Sequence, residues 1–251
     1  MSKKENTRYL IKFVLILAFI IVFILALGKL SRKALDLVKT DTSLPTFDSS
    51  NKITYVIDAG HGGEDAGASS ESGIFEKTLN LEIASILNAL YILNGNEVKM
   101  TRNSDTLLYD YYKDLDDYTG KKKVYDLKNR VKITSECENP IYIGIHMNKF
   151  SQPQYSGTQV YYSKNDTSSA VLAEEIQKTV KKYLQPSNKR AIKRADSSIY
   201  VLDNLECPAV LIECGFLSND AETSLLCNDE YQAKLALSIF VASLVHHSVD
   251  N

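Results

Sequence analysis

Four side chains in this sequence could hold a divalent metal and work it: His61, Glu76, His146 and Glu213. His61 stands in Asp58-Ala59-Gly60-His61-Gly62-Gly63, directly after the apolar Val56 and Ile57, which read as the end of a buried strand. Glycines on both sides of the imidazole free the backbone and allow another group to approach closely. Glu76 stands at the mouth of an amphipathic helix, because Leu79, Ile83, Ile86, Leu87 and Leu90 follow at helical spacing. An imidazole at a strand end and a carboxylate at a helix start, tied by a flexible loop, suit a metal such as zinc. The same loop could cradle a phosphate on the following helix. It lacks the Lys-Ser/Thr of a P-loop, however, and does not follow G-x-G-x-x-G.

His146 closes the run Pro140–His146, in which Ile141, Ile143 and Ile145 alternate with Tyr142 and Gly144. Glu213 closes Pro208–Glu213, after Val210, Leu211 and Ile212. A carboxylate in such a place is seldom buried without a partner. Both residues, like His61, fall at C-terminal strand ends, the edge where open α/β sheets carry their sites. Two His and one Glu make a catalytic zinc shell with a position open for water, and the remaining Glu can serve as general base. Spacing alone does not decide which Glu does which. His246 and His247 sit at the tail of the last helix, where a cation complements the helix dipole, and stay outside the site.

The elements that must position these groups alternate. Strands are expected at Ile53–Asp58, Glu97–Thr101, Pro140–His146, Thr158–Tyr162, Ile199–Leu202 and Pro208–Glu213. Helices are expected at Thr78–Asn94, closed by Gly95, and at Val124–Cys137, Ser168–Leu184 and Glu230–His247. Alternation predicts an α/β fold: one three-layer domain with a mostly parallel sheet and helices on both faces. Residues 103–123, rich in Asp and Tyr, read as a long exposed loop whose rings could stack on sugar. The basic segment Lys189, Arg190, Lys193 and Arg194 reads either as a solvated surface or as a site for carboxylates.

The N-terminus differs from the body. Residues 1–33 carry seven Lys/Arg and one acid, a sum of +6; the whole chain is −2, so residues 34–251 carry −8. An acidic body argues against a non-specific nucleic-acid binder. Phe13–Leu27 is unbroken in its apolarity, and counted back over Lys12 to Leu10 the run reaches about 18 residues, the length needed to cross a bilayer. Basic residues on both flanks suit a retained single span, with the N-terminus inside and the body extracytoplasmic, at the cell membrane. Residues 34–51 are then a polar linker and 52–251 the catalytic domain. The four cysteines form no Cys-x-x-Cys, so a zinc-thiolate site is not expected and no specific disulfide is assigned.

Several motifs in order carry a resemblance. Val56–Gly63, Glu76-Lys77, Thr101-Arg102, Ile145-His146-Met147-Asn148 and Glu213-Cys214-Gly215-Phe216-Leu217-Ser218-Asn219 resemble the zinc-dependent N-acetylmuramoyl-L-alanine amidases of bacterial cell walls. The match covers roughly residues 52–247, and the chain is most similar to short members that act on the spore cortex. The resemblance implies a twisted sheet of about six strands. It implies zinc on His61, Glu76 and His146, with Glu213 as the catalytic glutamate. Asp58, Arg102 and Asn148 are candidates for orienting ligands or substrate. Peptidoglycan is the implied substrate, cut between muramic acid and L-alanine during cortex maturation and muramic-lactam formation, and an activator protein is a candidate partner. Ala59 and Gly144 depart from the Pro and Ser usual in the family, and neither position supplies a ligand. Two other readings compete: a wall-binding or regulatory protein on this scaffold, and another zinc hydrolase of wall material. His-Glu-x-x-His is absent, which disfavours a common peptidase.

Overall fold

A computed structural model describes residues 52–113 and 120–249. The apolar run 10–27 and the linker 34–51 lie outside the described residues. Among those described, no helix is long and apolar enough to cross a membrane.

Six strands form one sheet: β1 (Thr54–Ala59), β2 (Glu97–Met100), β3 (Pro140–Asn148), β4 (Gln159–Tyr162), β5 (Lys193–Arg194) and β6 (Ala209–Phe216). Their spatial order is β2-β1-β3-β6-β4-β5. The first four in that order run parallel; β4 runs antiparallel to β6, and β5 parallel to β4. Among the described residues six helices surround the sheet: α1 (Glu76–Leu93), α2 (Lys122–Ser135), α3 (Ser168–Tyr183), α4 (Tyr200–Asn204), α5 (Asp220–Leu226) and α6 (Asp229–Val249).

Strand residues alternate between two cores. Tyr55, Ile57 and Ala59 of β1, with Ile143, Ile145, Val210 and Ile212, pack against the apolar stripes of α1, α3 and α6. Val56, Tyr142, Ala209 and Leu211 point the other way, where Val201, Leu202 and Leu205 of the α4 segment and Leu127 and Val131 of α2 cover them. Every residue of β1 is buried, as a central parallel strand with both faces covered requires. The three-layer arrangement with a mostly parallel sheet agrees with the sequence expectation.

The connection β1-α1-β2 leads to one side of β1, whereas β2-α2-β3 crosses back to the other. The gap between β1 and β3 is therefore a switch point, and in open α/β sheets ligands sit there, beyond the carboxyl ends of the strands.

Three features differ from the sequence expectation. Ile199–Leu202 is not a strand: Tyr200–Asn204 is a short helix, and the sixth strand is Lys193–Arg194. Four apolar residues in a row fit either state. Their buried members Val201 and Leu202, with Leu205 just after the helix, pack into one core cluster, and tertiary packing decides for the helix. Helix α5 was not anticipated, although Asn219 accepting from the Glu222 N–H is an ordinary start signal. Finally, residues 103–113 are not simply a solvated loop. Leu108 is buried, its N–H donates to Asp126 and its carbonyl accepts from Asn129.

Beneath the β1–β3 gap lies a buried charge network. Arg130 of α2 pairs with Asp58 and with Asp126, and all three are almost fully buried. Tyr142 and Thr101 also donate their hydroxyls to Asp58. Burial would raise the Asp58 pKa, but the Arg130 charge and these hydrogen bonds hold the carboxyl below its ordinary value. Removing one partner strands the other charge in the core. Arg130→Met is expected to cost about 3–5 kcal/mol of stability, read as a lower urea midpoint at unchanged slope.

Candidate active site

His61 follows β1 in a left-handed backbone conformation, φ 61°, and Gly62 and Gly63 continue with positive φ. Arg130 Nη2 donates to the His61 carbonyl at 2.8 Å and Nη1 donates to the Ala59 carbonyl at 3.0 Å. The buried ion pair therefore fixes the loop that carries the imidazole. From above, residues 104–106 clamp the same loop. Lys77 Nζ donates to the Gly63 carbonyl at 2.6 Å and to Asp105 at 2.7 Å, and Asp105 accepts from the Gly63 N–H at 2.8 Å.

Glu76 is the first residue of α1 and only 3% exposed. Its Oε2 accepts from the Ala68 N–H at 2.7 Å, and its Oε1 from the Met147 N–H at 3.0 Å and the Asn80 amide at 3.3 Å. His146 Nδ1 lies 3.0 Å and His61 Nε2 3.3 Å from Oε1. Burial works against the charged carboxylate, yet the hydrogen bonds and charges of His146 and His61 prevail and hold its pKa far below the usual range. On its far side, His61 Nδ1 meets Asp65 Oδ2 at 2.9 Å, which fixes the ring and leaves Nε2 turned to Glu76.

His61, Glu76 and His146 each offer one ligand atom, all within 4.8 Å of one another. Two glycines make this convergence possible. A Cβ at Gly60 would overlap the His146 ring; one at Gly67 would crowd Glu76 Oε2 and, at 2.8 Å, His61 Cδ2. Glu213 stands beside them, paired with His146 across β3 and β6. Its Oε2 is buried with no hydrogen-bond partner, and burial pushes its pKa up to about 7. Two imidazoles, a carboxylate and an orphaned carboxylate oxygen are a donor set that fits a divalent cation with one working position left open.

The other sequence candidates divide. Asp58 is 1% exposed and reaches His61 only through Arg130. Arg102 is equally buried, and its guanidinium donates to the carbonyls of Ala59, Gly60, Lys77 and Ser104 at 2.7–3.0 Å. It joins the end of β1 to the start of α1 and is a positioning residue. Asn148, half-buried at the end of β3 beyond a bulge, lines a groove beside Glu213. Sequence reading missed Asp65, Asn80 and Arg130. Asn80 was legible as a polar residue one turn after Glu76, where the two share a helix face. Asp65 and Arg130 carried no such local signal.

A family model described as N-acetylmuramoyl-L-alanine amidase matches residues 56–242. The chain belongs to the N-acetylmuramoyl-L-alanine amidase family. It is 36% identical over 191 residues to the germination-specific N-acetylmuramoyl-L-alanine amidase of Bacillus subtilis, covering 76% of this chain and 78% of that one. Among solved structures it is similar to the CwlD amidase from Clostridioides difficile, determined in complex with the GerS lipoprotein. That likeness has a TM-score of 0.72 at 38% identity, over 78% of this chain and 99% of the other. The amidase AmiC2 of Nostoc punctiforme gives a TM-score of 0.65 at 27% identity, over 78% and 97%.

The geometry at Gly60 gives a test of the site. Gly60→Ala is expected to displace the His146 ring and lower amidase turnover by about a hundredfold or more, since small misplacements of reacting groups have that effect. Circular dichroism should retain the native spectrum.

Proposed function

We propose that this chain is a zinc-dependent hydrolase of the amide joining the lactyl group of N-acetylmuramic acid to the L-alanine of the peptidoglycan stem peptide. The observation that carries this reading is the meeting of His61, Glu76 and His146 beside the orphaned Glu213 oxygen, in a chain of this family. His61, Glu76 and His146 would hold the zinc, which supplies Lewis acidity toward the amide carbonyl and a lowered pKa for water. Asp65 keeps His61 in the tautomer with Nε2 free for the metal.

Glu213 Oε2 has no competing protein partner, so it is free to take the proton of the attacking water. A carboxyl that burial has drawn toward neutral pH accepts that proton readily and gives it up again. It then passes the proton to the departing alanine nitrogen, acting as base and acid in turn. Ala68, Met147 and Asn80 hold the Glu76 carboxylate immobile throughout, which keeps its role distinct from that of Glu213.

The physiological setting belongs to the same proposal. The name of the Bacillus subtilis relative supports action on spore peptidoglycan, in maturation of the cortex. The lipoprotein in the Clostridioides difficile complex supports a partner protein that aids the enzyme. The basic and apolar residues 1–33 support a single membrane anchor with the catalytic domain outside the cytoplasm.

The purified full-length chain, prepared without chelator, should carry one zinc by elemental analysis and release intact stem peptides from peptidoglycan, identified by mass spectrometry. Absence of zinc after supplementation would overturn the metal assignment; cut peptides or freed acetate would overturn the bond assignment. Glu213→Gln should keep its zinc and lose roughly 10²–10⁴-fold in turnover, the range for a lost general base. His146→Ala should lose the zinc itself.

A further inference from the structure

The sheet register extends the site beyond the four central residues. His146 faces Glu213 across β3 and β6, and Glu213 faces Gln159 across β6 and β4. One row of side chains thus runs from the metal-ligand side, over the catalytic carboxylate, to the first residue of β4. Beyond it opens a groove of about 250 Å³ lined by Asn148, Phe150, Tyr155, Tyr161, Arg190 and Lys193, together with Gln159 itself.

Both cations lie along the walls of this groove. The half-buried Arg190 guanidinium stands over the Phe216 ring at 4.4 Å and the Tyr155 ring at 5.7 Å. It donates from Nε to the Ser156 carbonyl at 2.7 Å and from Nη1 to Gln159 Oε1 at 3.1 Å. These bonds fix its plane and leave further N–H donors. Lys193 is exposed, with its ammonium 5.9 Å from the Tyr161 ring centroid. Among the described residues no carboxylate makes an ion pair with either cation. The nearby Glu222 feels the Arg190 charge, but its two oxygens are taken by the N–H groups of Gly157 and Phe216 at 2.8 and 2.9 Å, and it makes no ion pair with the guanidinium. A cation pre-oriented by stacking and two fixed acceptors, without an ion-pair partner among the described residues, on an otherwise acidic domain, is an arrangement for an incoming anion.

We infer that Arg190 and Lys193 form a subsite for a carboxylate of the peptide portion of the substrate, so that the peptide lies over β4 and β5 while its N-terminal amide sits at Glu213. This inference rests on the amidase reading. It assigns the anion to the peptide side, because the leaving fragment is a peptide and so carries at least its terminal carboxylate. The rings of Phe150 and Tyr155, 5.0 Å apart, form the apolar wall of the same groove.

Two synthetic muramoyl-peptides test it, identical except that the peptide carboxylates are free in one and amidated in the other. The full-length enzyme should prefer the free-carboxylate substrate. In Arg190→Gln and in Lys193→Gln the ratio of the two kcat/KM values should fall on the order of tenfold, the weight of a charge-assisted hydrogen bond at a partly open site, chiefly through KM. Arg190 also props the Ser156 loop, so a uniform loss on both substrates in that variant would reflect structure alone. An unchanged ratio in Lys193→Gln, whose exposed side chain makes no hydrogen bond or ion pair among the described residues, would then overturn the subsite. Equal use of both substrates by the unaltered enzyme would overturn it as well. Calorimetric titration of the corresponding free and amidated peptides reads the subsite without turnover. Discrimination there, with no cleavage of either substrate, would uphold the subsite and count against the amidase reading.

Discussion

The buried pairing of Arg130 with Asp58 is the constraint on which the rest of the site depends. Asp58 comes from the central strand and Arg130 from a helix on one face, so the pair joins two layers. The guanidinium then reaches past the carboxylate to the carbonyls of Ala59 and His61. A glycine-rich turn with positive φ at three consecutive residues has little stability of its own. Here its entry is tied from beneath by Arg130 and from the side by Arg102, while Lys77 and Asp105 hold its exit. Burying two arginines is costly unless their donors are satisfied. The carbonyls left open where β1 ends supply much of that satisfaction, and the carboxylates of Asp58 and Asp126 complete it for Arg130. The same bonds therefore stabilise the charges and shape the turn.

Topology explains why the metal-ligand candidates meet although they are far apart in sequence. His61 stands just after, and His146 just before, the C-terminal ends of the two strands that flank the switch point, and Glu213 lies near the end of the next strand along, three residues before Phe216 ends it. Glu76 comes from the start of the helix that leaves this gap. Its carboxylate accepts from backbone N–H groups of the preceding loop and of β3 at once, so one side chain gathers three segments. Gly60 and Gly67 contribute by being small: each gives up its side-chain volume to a ligand ring or carboxylate.

Much of this was legible in the sequence, and the reasons are physical. Strand ends followed by His or Glu, and a helix start marked by Glu76, are local patterns that survive folding unchanged. The α/β alternation is equally local, so the sheet and its two helical layers could be read in advance. What could not be read was long-range or short. Arg130 was not singled out, because nothing within a turn of it announces a partner 72 residues away. The segment Ile199–Leu202 is too short for periodicity to separate strand from helix, and its packing decided otherwise. Asp58, expected near ligands or substrate, has its influence relayed through a side chain that sequence could not connect to it.

The reversal of β4 and β5 divides labour along the catalytic edge. Parallel strands bring their endings to that edge, and His61, His146 and Glu213 stand within a few residues of those endings. Antiparallel strands bring their beginnings, so what arrives there is the pair of connecting loops 149–158 and 184–192, with Gln159 and Lys193 just inside. The chain can therefore lengthen, shorten or recharge these loops without moving a strand that carries a ligand. A family sharing one reactive centre can diversify in what it grips by editing the connections on that side alone, and the chemistry is insulated from the change by the direction of two short strands.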